Sequence, residues 1–337
     1  MEREVRAIEQ FDRIDRKSWD DLVEESPVAT WFQTPEAYLF FSLLNEIWAP
    51  FVVAIENESG LRGVAVGIIQ KDGGKLKQFL SRRAIIMGGP VLADDITNEE
   101  LAFLLNAISK HLQGKAIYIE TRNFNDYGRW RPVFEANGFG YDPHLNFHVH
   151  CDNWEEVERR IGKHRRRYIR LSIREGVTVV ESPSLDQVRQ YYAILEDLYR
   201  TKVKMPLYPW HFFEQLYKLD TSRFILIEYD GQIIGGSVCV CLNDRGVYEW
   251  FACGKDGVYK NVHPSSMTKY AGMKFAHDHH YPIFDMMGAG KPDEKYGVRD
   301  FKAEFGGEMV EHGRYRYVAN KPLYALGKIG VKLLKWL

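Results

Sequence analysis

The sequence predicts an α/β (α+β) protein made of two tandem units, each a mixed, mostly antiparallel sheet flanked by helices. Three observations carry this reading. Each half opens on two apolar runs joined by a polar turn, and each continues as strand, loop, helix, strand. The length, 337 residues, lets two units each bury a core of their own.

In the first half, "PFVVAIENESGLRGVAVGIIQ" reads as a strand from Phe51, a turn, and a strand from Arg62 to Gln70. "RAIIMGGPVLADDITNEELAFLLNAISKHLQGKAIYIETR" then supplies strand, loop, helix and strand, with Thr97 or Asn98 placed to cap the helix. The second half repeats the plan with strands Phe224–Tyr229 and Ile233–Leu242. Between them Asp230-Gly231 is a hairpin signal, because the tight turn demands positive φ. Downstream, Pro264 and Ser265 introduce a helix whose Met267, Ala271 and Phe275 recur at four-residue spacing on one face. The join is expected between Phe147 and Asn153, giving units 1–150 and 151–337.

Composition narrows the function classes. The 45 basic and 46 acidic residues nearly cancel, so no global field draws the chain to nucleic acid, and any polyanion contact is local. Cys151, Cys239, Cys241 and Cys253 form no CxxC pair, which suits reduced thiols in a cytosolic protein without a zinc site. "MEREVRAIEQFDRID" is charged throughout and lacks the apolar core of a signal peptide. The longest uncharged run, Gly231 to Asn243, is too short to span a bilayer. "HDHH" at His277 to His280 suits a helix C-terminus better than a metal site, so no metal ligands are expected. "GAG" at Gly288 to Gly290 lacks the dinucleotide fingerprint.

Antiparallel strands followed by strand, helix, strand resemble the acyltransferase fold of the GNAT superfamily, and "YGRWRPVFEANGFGY" resembles the usual close of such a domain. Two such units in one chain resemble the FemAB family, aminoacyl-tRNA-dependent transferases that add amino acids to peptidoglycan precursors. Three segments carry the likeness: "TWFQTPEAYLFF" from Thr30, "GKHRRRYIRLSIREGVTVVES" from Gly162, and "FDMMGAGKPDEKYGVRDFKAEFGGE" from Phe284, continued to a closing Pro-Leu-Tyr. The resemblance implies that Lys302, after Phe301, sits beside the transfer site. An ammonium there would stabilise the oxyanion formed when an amine attacks an ester or thioester, an effect worth about 2.7 to 4 kcal/mol per donor. Asp285, closing a strand beside the glycine loop, would orient the amine, accept its proton or bond the loop's amides.

The run "KHRRRYIRLSIR" places Lys163, Arg167, Arg170 and Arg174 on one helical face and Ile161, Tyr168 and Leu171 on another. Arg167 and Arg170 are candidates to hold phosphates of a precursor or of a tRNA end, and a solvated face is the alternative. The resemblance implies acceptor contacts from "YRTKVKMPLYPWHFF", where Lys204, Tyr208 and Trp210 are the candidates, together with Tyr248. The lysine expected between Gln33 and Tyr38 is absent. For the donor, "GKDGVYKNVHPSSM" offers Lys255, Gly257, Lys260 and Ser265 but no Gly-x-Gly before its helix, which favours aminoacyl-tRNA over acyl-CoA as co-substrate. No tightly bound cofactor is expected.

The expected function is therefore N-acyl transfer onto an amine of a cell-wall precursor peptide. The alternatives are an acyl-CoA-dependent N-acetyltransferase acting on a small amine or amino sugar, and a non-catalytic nucleotide-sugar-binding scaffold. The expected location is the cytoplasm. The tail "KIGVKLLKWL" is compatible with peripheral contact at the inner membrane face or with packing on its own domain.

Overall fold

The computed structural model describes residues 5–70 and 82–334, with side chains through Lys328. Two units emerge, one comprising Met1–His144 and Glu311–Leu337, the other Leu145–Val310. The boundary expected at 150/151 thus falls at 144/145, and residues 311–337, expected in the second unit, belong to the first.

In the first unit the hairpin β2 (Trp48–Asn57) and β3 (Gly60–Gln70) is antiparallel, with β1 (Arg6–Ile8) along its outer edge. β3 pairs antiparallel with β4 (Arg83–Gly88) and with the short β5 (Val91–Leu92). β4 runs parallel to β6 (Tyr118–Asn123), and such a pair needs a crossover. A helix, Asn98–His111, supplies it. Thr97 starts that helix, accepting from the Glu100 amide while the Glu100 carboxylate accepts from the Thr97 amide, a reciprocal cap.

The next strand in the sheet comes from the far end of the chain. β15 (Arg314–Val318) inserts between β6 and β7 (Phe139–Asp142), antiparallel to both. Arg316 stands opposite Glu120, and Arg314 opposite Arg122. The buried Glu120 carboxylate accepts from Arg122 (3.0 Å), Arg314 (3.2 Å) and Arg316 (2.6 Å). Burial alone would raise its pKa, but the three guanidinium groups outweigh that and hold it at about 2. This side-chain match fixes the register of a strand some 190 positions distant in sequence. The helix that follows runs from Lys321 to Leu334. The side chains of the expected lysine-alternating tail beyond Lys328, and residues 335–337 altogether, lie outside the described residues.

The second sheet has seven strands in the order β14 (Glu308–Glu311), β8 (Leu145–His150), β13 (Ile283–Gly288), β12 (Gly246–Gly254), β11 (Gln232–Leu242), β10 (Ser222–Tyr229) and β9 (Thr178–Val180). β10 (Ser222–Tyr229) and β11 (Gln232–Leu242) form the expected hairpin, and Asp230 and Gly231 adopt φ of 51° and 68°, as the turn requires. β12 (Gly246–Gly254) follows antiparallel, then the crossover helix Pro264–Asp278, then β13 (Ile283–Gly288) parallel to β12. β8 (Leu145–His150) pairs antiparallel with β13, which is why the boundary precedes it. Met267, Ala271 and Phe275 of the crossover helix are buried against Ile225, Cys239, Val247 and Phe284, as their spacing foretold. Cys239 and Cys241 share that core, and all four cysteines are buried and free.

Candidate active site

The second sheet opens where β12 and β13 meet. They share only two rungs, Val247 with Phe284 and Tyr248 with Asp285, although β12 continues to Gly254 and β13 to Gly288. On the other side of β13 the register to β8 is interrupted between Asp285 and Gly288, and Met287 turns to φ 58°. Met286 and Met287 therefore have no rung on either side, and their carbonyls need other donors.

Lys302 provides them. It lies on the short helix Gly297–Ala303, and its ammonium donates to the carbonyls of Met286 (2.6 Å), Gly288 (2.9 Å) and Met287 (3.3 Å). It is 7% exposed. Burial, and then the neighbouring Lys269, bring its pKa down from 10.5 to about 8, against the pull of Glu249 and Asp285. A charge held this close to neutrality is uncommon outside functional sites.

A buried polar seam continues from it. Asp285 accepts from the Met287 amide at 2.6 Å, bonding the loop as one of the expected roles required, and its other oxygen lies 3.4 Å from His148 Nε2. Glu249, one residue past the last shared rung, forms a buried ion pair with Lys269 of the crossover helix. The second oxygen of Glu249, Oε1, has no hydrogen-bond partner among the described residues. The wholly buried Tyr191 hydroxyl is pushed far up by burial, with Cys253 and Glu249 adding to it. Tyr199 is raised to about 12 by burial and then by Tyr208 and Tyr296, which links the 199–208 segment to the start of the Lys302 helix.

The remaining expected residues fall in several places. Phe301 packs under the Arg165 guanidinium, 4.5 Å from its ring centroid, and against Phe305, so it seats the helix that carries Lys302. Tyr208 and Trp210 join an aromatic cluster with Phe212, Phe251 and Tyr192, and Arg189 stacks on Trp210. Tyr248 is buried on the rung shared with Asp285, a wall rather than an exposed contact. Lys204 is exposed with φ 54° at the end of a helical turn.

The donor loop departs from expectation. Lys255, Gly257 and Lys260 are exposed, but the amide and hydroxyl of Ser265 both donate to Asp256. A Cβ on Gly254 would lie 2.6 Å from the Ser265 nitrogen, so the end of β12 covers the first helical turn. An internal carboxylate and a strand end occupy the place an anion would take at that helix N-terminus. At His277 to His280, the His277 ring bonds the Cys151 carbonyl at 2.7 Å, and no metal-holding group of His, Cys, Asp or Glu occurs among the described residues.

Sequence reasoning passed over Arg165, Glu249 and Lys269. On the helix Lys163–Arg174 the buried positions are Ile169 and Ser172, while Tyr168 stacks on His263 and Leu171 borders an outer groove. The arginine that faces inward is Arg165, bound to Glu304 at 2.9 Å and Ser266 at 3.3 Å. The four-residue step from Arg165 to Ile169 was the available signal, hidden in an unbroken basic run.

Residues 157–302 match the family described as the acetyltransferase (GNAT) domain. That match lies wholly within the second unit, Leu145–Val310. Over the whole chain the fold is that of tandem GNAT proteins. It superposes on FemX with a TM-score of 0.74 at 16% identity, covering 95% of this chain and 99% of that one. L-PGS from Bacillus licheniformis gives 0.57 at 14%, covering 95% and 96%. A tandem GNAT protein from the clavulanic acid biosynthesis pathway gives 0.54 at 10%, covering 94% and 99%. A search of curated proteins finds no match by sequence. The split between β12 and β13, with Lys302 on one side and Glu249 with Lys269 on the other, is the polar centre of the second unit.

Proposed function

We propose that this protein is an N-acyltransferase that moves an aminoacyl group from aminoacyl-tRNA to an amine of a cell-wall precursor peptide. The observation that carries the reading is the buried Lys302 ammonium, held at the split of β12 and β13 with its pKa near 8. In the reaction the amine attacks the ester carbonyl, the C–N bond forms, the C–O ester bond breaks, and the freed ribose hydroxyl takes a proton. The positive charge at Lys302 stabilises the oxyanion in a water-poor setting. The buried Oε1 of Glu249, which has no hydrogen-bond partner among the described residues, is assigned to receive the amine's proton, while Asp285 and Phe301 hold the loop and helix that position Lys302. Tyr208, Trp210 and Lys204 are assigned to the acceptor.

Donor choice follows from the blocked helix N-terminus. A pyrophosphate there would meet Asp256 and the backbone of Gly254, so Ser265 is withdrawn from the donor site and acyl-CoA is disfavoured. The acetyltransferase description of the matching family keeps acyl-CoA as the second reading. The test offers charged tRNA and acetyl-CoA separately, with a precursor pentapeptide as acceptor, and follows product mass. A mass increase with charged tRNA alone supports the proposal. An acetyl adduct alone replaces it with the second reading, and precursor binding without transfer from either donor refutes both. FemX and L-PGS add support through shared fold only.

A further inference from the structure

The outer face of the helix Lys163–Arg174 is unused by the centre described above. Lys163, Arg166, Arg167, Arg170 and Arg174 line an open groove of about 660 Å³ together with His164 and Leu171. Elsewhere in this unit exposed arginines are commonly matched, as Arg159 is to Glu156 and Arg200 to Asp197. None of these five cations has an ion-pair partner within 4 Å among the described residues. Glu155 and Glu158 border an adjoining hollow with Arg166 and Arg170 without closing to ion-pair distance. Concentrated like charge with no internal counterion costs self-repulsion, and a polyanion relieves it.

We infer that this face is a docking surface for the phosphodiester backbone of an RNA stem. At the helical rise, Lys163, Arg167, Arg170 and Arg174 follow one another at about 4.5 to 6 Å over a stretch of about 16 Å, a row that tracks successive phosphates of one strand. A diphosphate would engage one or two of these side chains and leave the others unpaired. A membrane surface requires a broad apolar face beside the cations; here Ile169 is buried in the domain, and only Leu171 in the groove and the half-exposed Ile173 in the adjoining hollow stand beside five cations. Arginine forks suit phosphate oxygens, and four of the five cations are arginines.

The inference rests on aminoacyl-tRNA being the donor, and the experiment separates the two. An uncharged RNA hairpin with a single-stranded 3′ end is titrated against the full chain at several salt concentrations, beside UDP and vesicles of phosphatidylglycerol. The variant is Lys163→Glu/Arg174→Glu, both exposed, with its melting temperature checked against wild type. Expected are salt-dependent RNA binding, an affinity loss of tenfold or more in the variant, and a salt slope reduced by about two, one for each contact removed. RNA affinity equal in variant and wild type overturns the inference, as does loss of vesicle binding with no RNA binding in the wild type. Transfer from a short aminoacyl dinucleotide, which carries no stem, tests the donor reading alone. If that transfer occurs while RNA affinity ignores the substitutions, the docking surface is wrong and the donor reading stands.

Discussion

Replacing Lys302 by methionine keeps an unbranched side chain one atom shorter and removes its charge and three donors, so its effects on stability and on catalysis can be separated. The Met286 carbonyl loses a buried hydrogen bond, and those of Met287 and Gly288 lose partly buried ones. Leaving a buried acceptor unpaired costs about 1–3 kcal/mol. Against this, the wild-type ammonium is itself unfavourable: the fall of its pKa from 10.5 to about 8 corresponds to about 3 kcal/mol of native-state cost below pH 8. The two terms offset, so at pH 7 the variant should lie within about 2 kcal/mol of wild type in urea melts. The pH dependence has a definite sign. Between pH 8 and 10.5 the unfolded chain holds the proton that the native chain has released, so wild type gains stability relative to the variant as pH rises through this window. Tyr199 and Cys241, each raised to about 12, act the other way above pH 9 in both proteins and cancel in the difference. Transfer should fall about 10²- to 10³-fold, and the wild-type rate should decline above pH 8 as the ammonium deprotonates. Initial rates by product mass and paired urea melts at pH 7, 8, 9 and 10 give both quantities. Activity within threefold of wild type, or a stability gap flat with pH, would refute the reasoning.

Three further outcomes are expected. Glu120→Gln leaves Arg122, Arg314 and Arg316 facing one another and should cost about 3–5 kcal/mol at neutral pH; because the folded pKa of Glu120 is lowered to about 2, wild type should lose about 3 kcal/mol as pH falls from 4.5 to 2, and acid melts of the variant should lack that component. Lys269→Met, which strands the buried Glu249 carboxylate, should destabilise by about 3–5 kcal/mol, and adding Glu249→Leu should restore most of it; additive losses in calorimetry would show that the two do not act as a pair. Gly254→Ala pushes a methyl to 2.6 Å from the Ser265 nitrogen and should cost about 1–3 kcal/mol, read as a lower urea midpoint; an unchanged midpoint would mean that β12 does not close that helix end.

What the sequence disclosed of this fold follows the reach of each interaction. Asp230-Gly231 and the Thr97–Glu100 cap act within four residues, so composition alone placed the hairpin and the crossover helix. The strand Arg314–Val318 was assigned to the wrong unit because its determinants, Glu120 and Asp142, lie more than 170 positions away and nothing beside it in sequence points to them. Lys302 stood out by resemblance, but its partners are carbonyls that lack rungs only because β12 and β13 part and β8 skips, three events on separate segments. Glu249 and Lys269 were missed for a related reason. A charge in a strand and a charge on a helix each read as solvated, and only the packing of that helix on that strand turns them into a buried pair. The charged residues that matter most to the proposed chemistry are thus the ones whose burial no local pattern announces. Arg165 shows how fine the distinction is: two positions from Arg167 on the same helix, about 200° of rotation, separate the guanidinium that seats the Lys302 helix from those that line the outer groove.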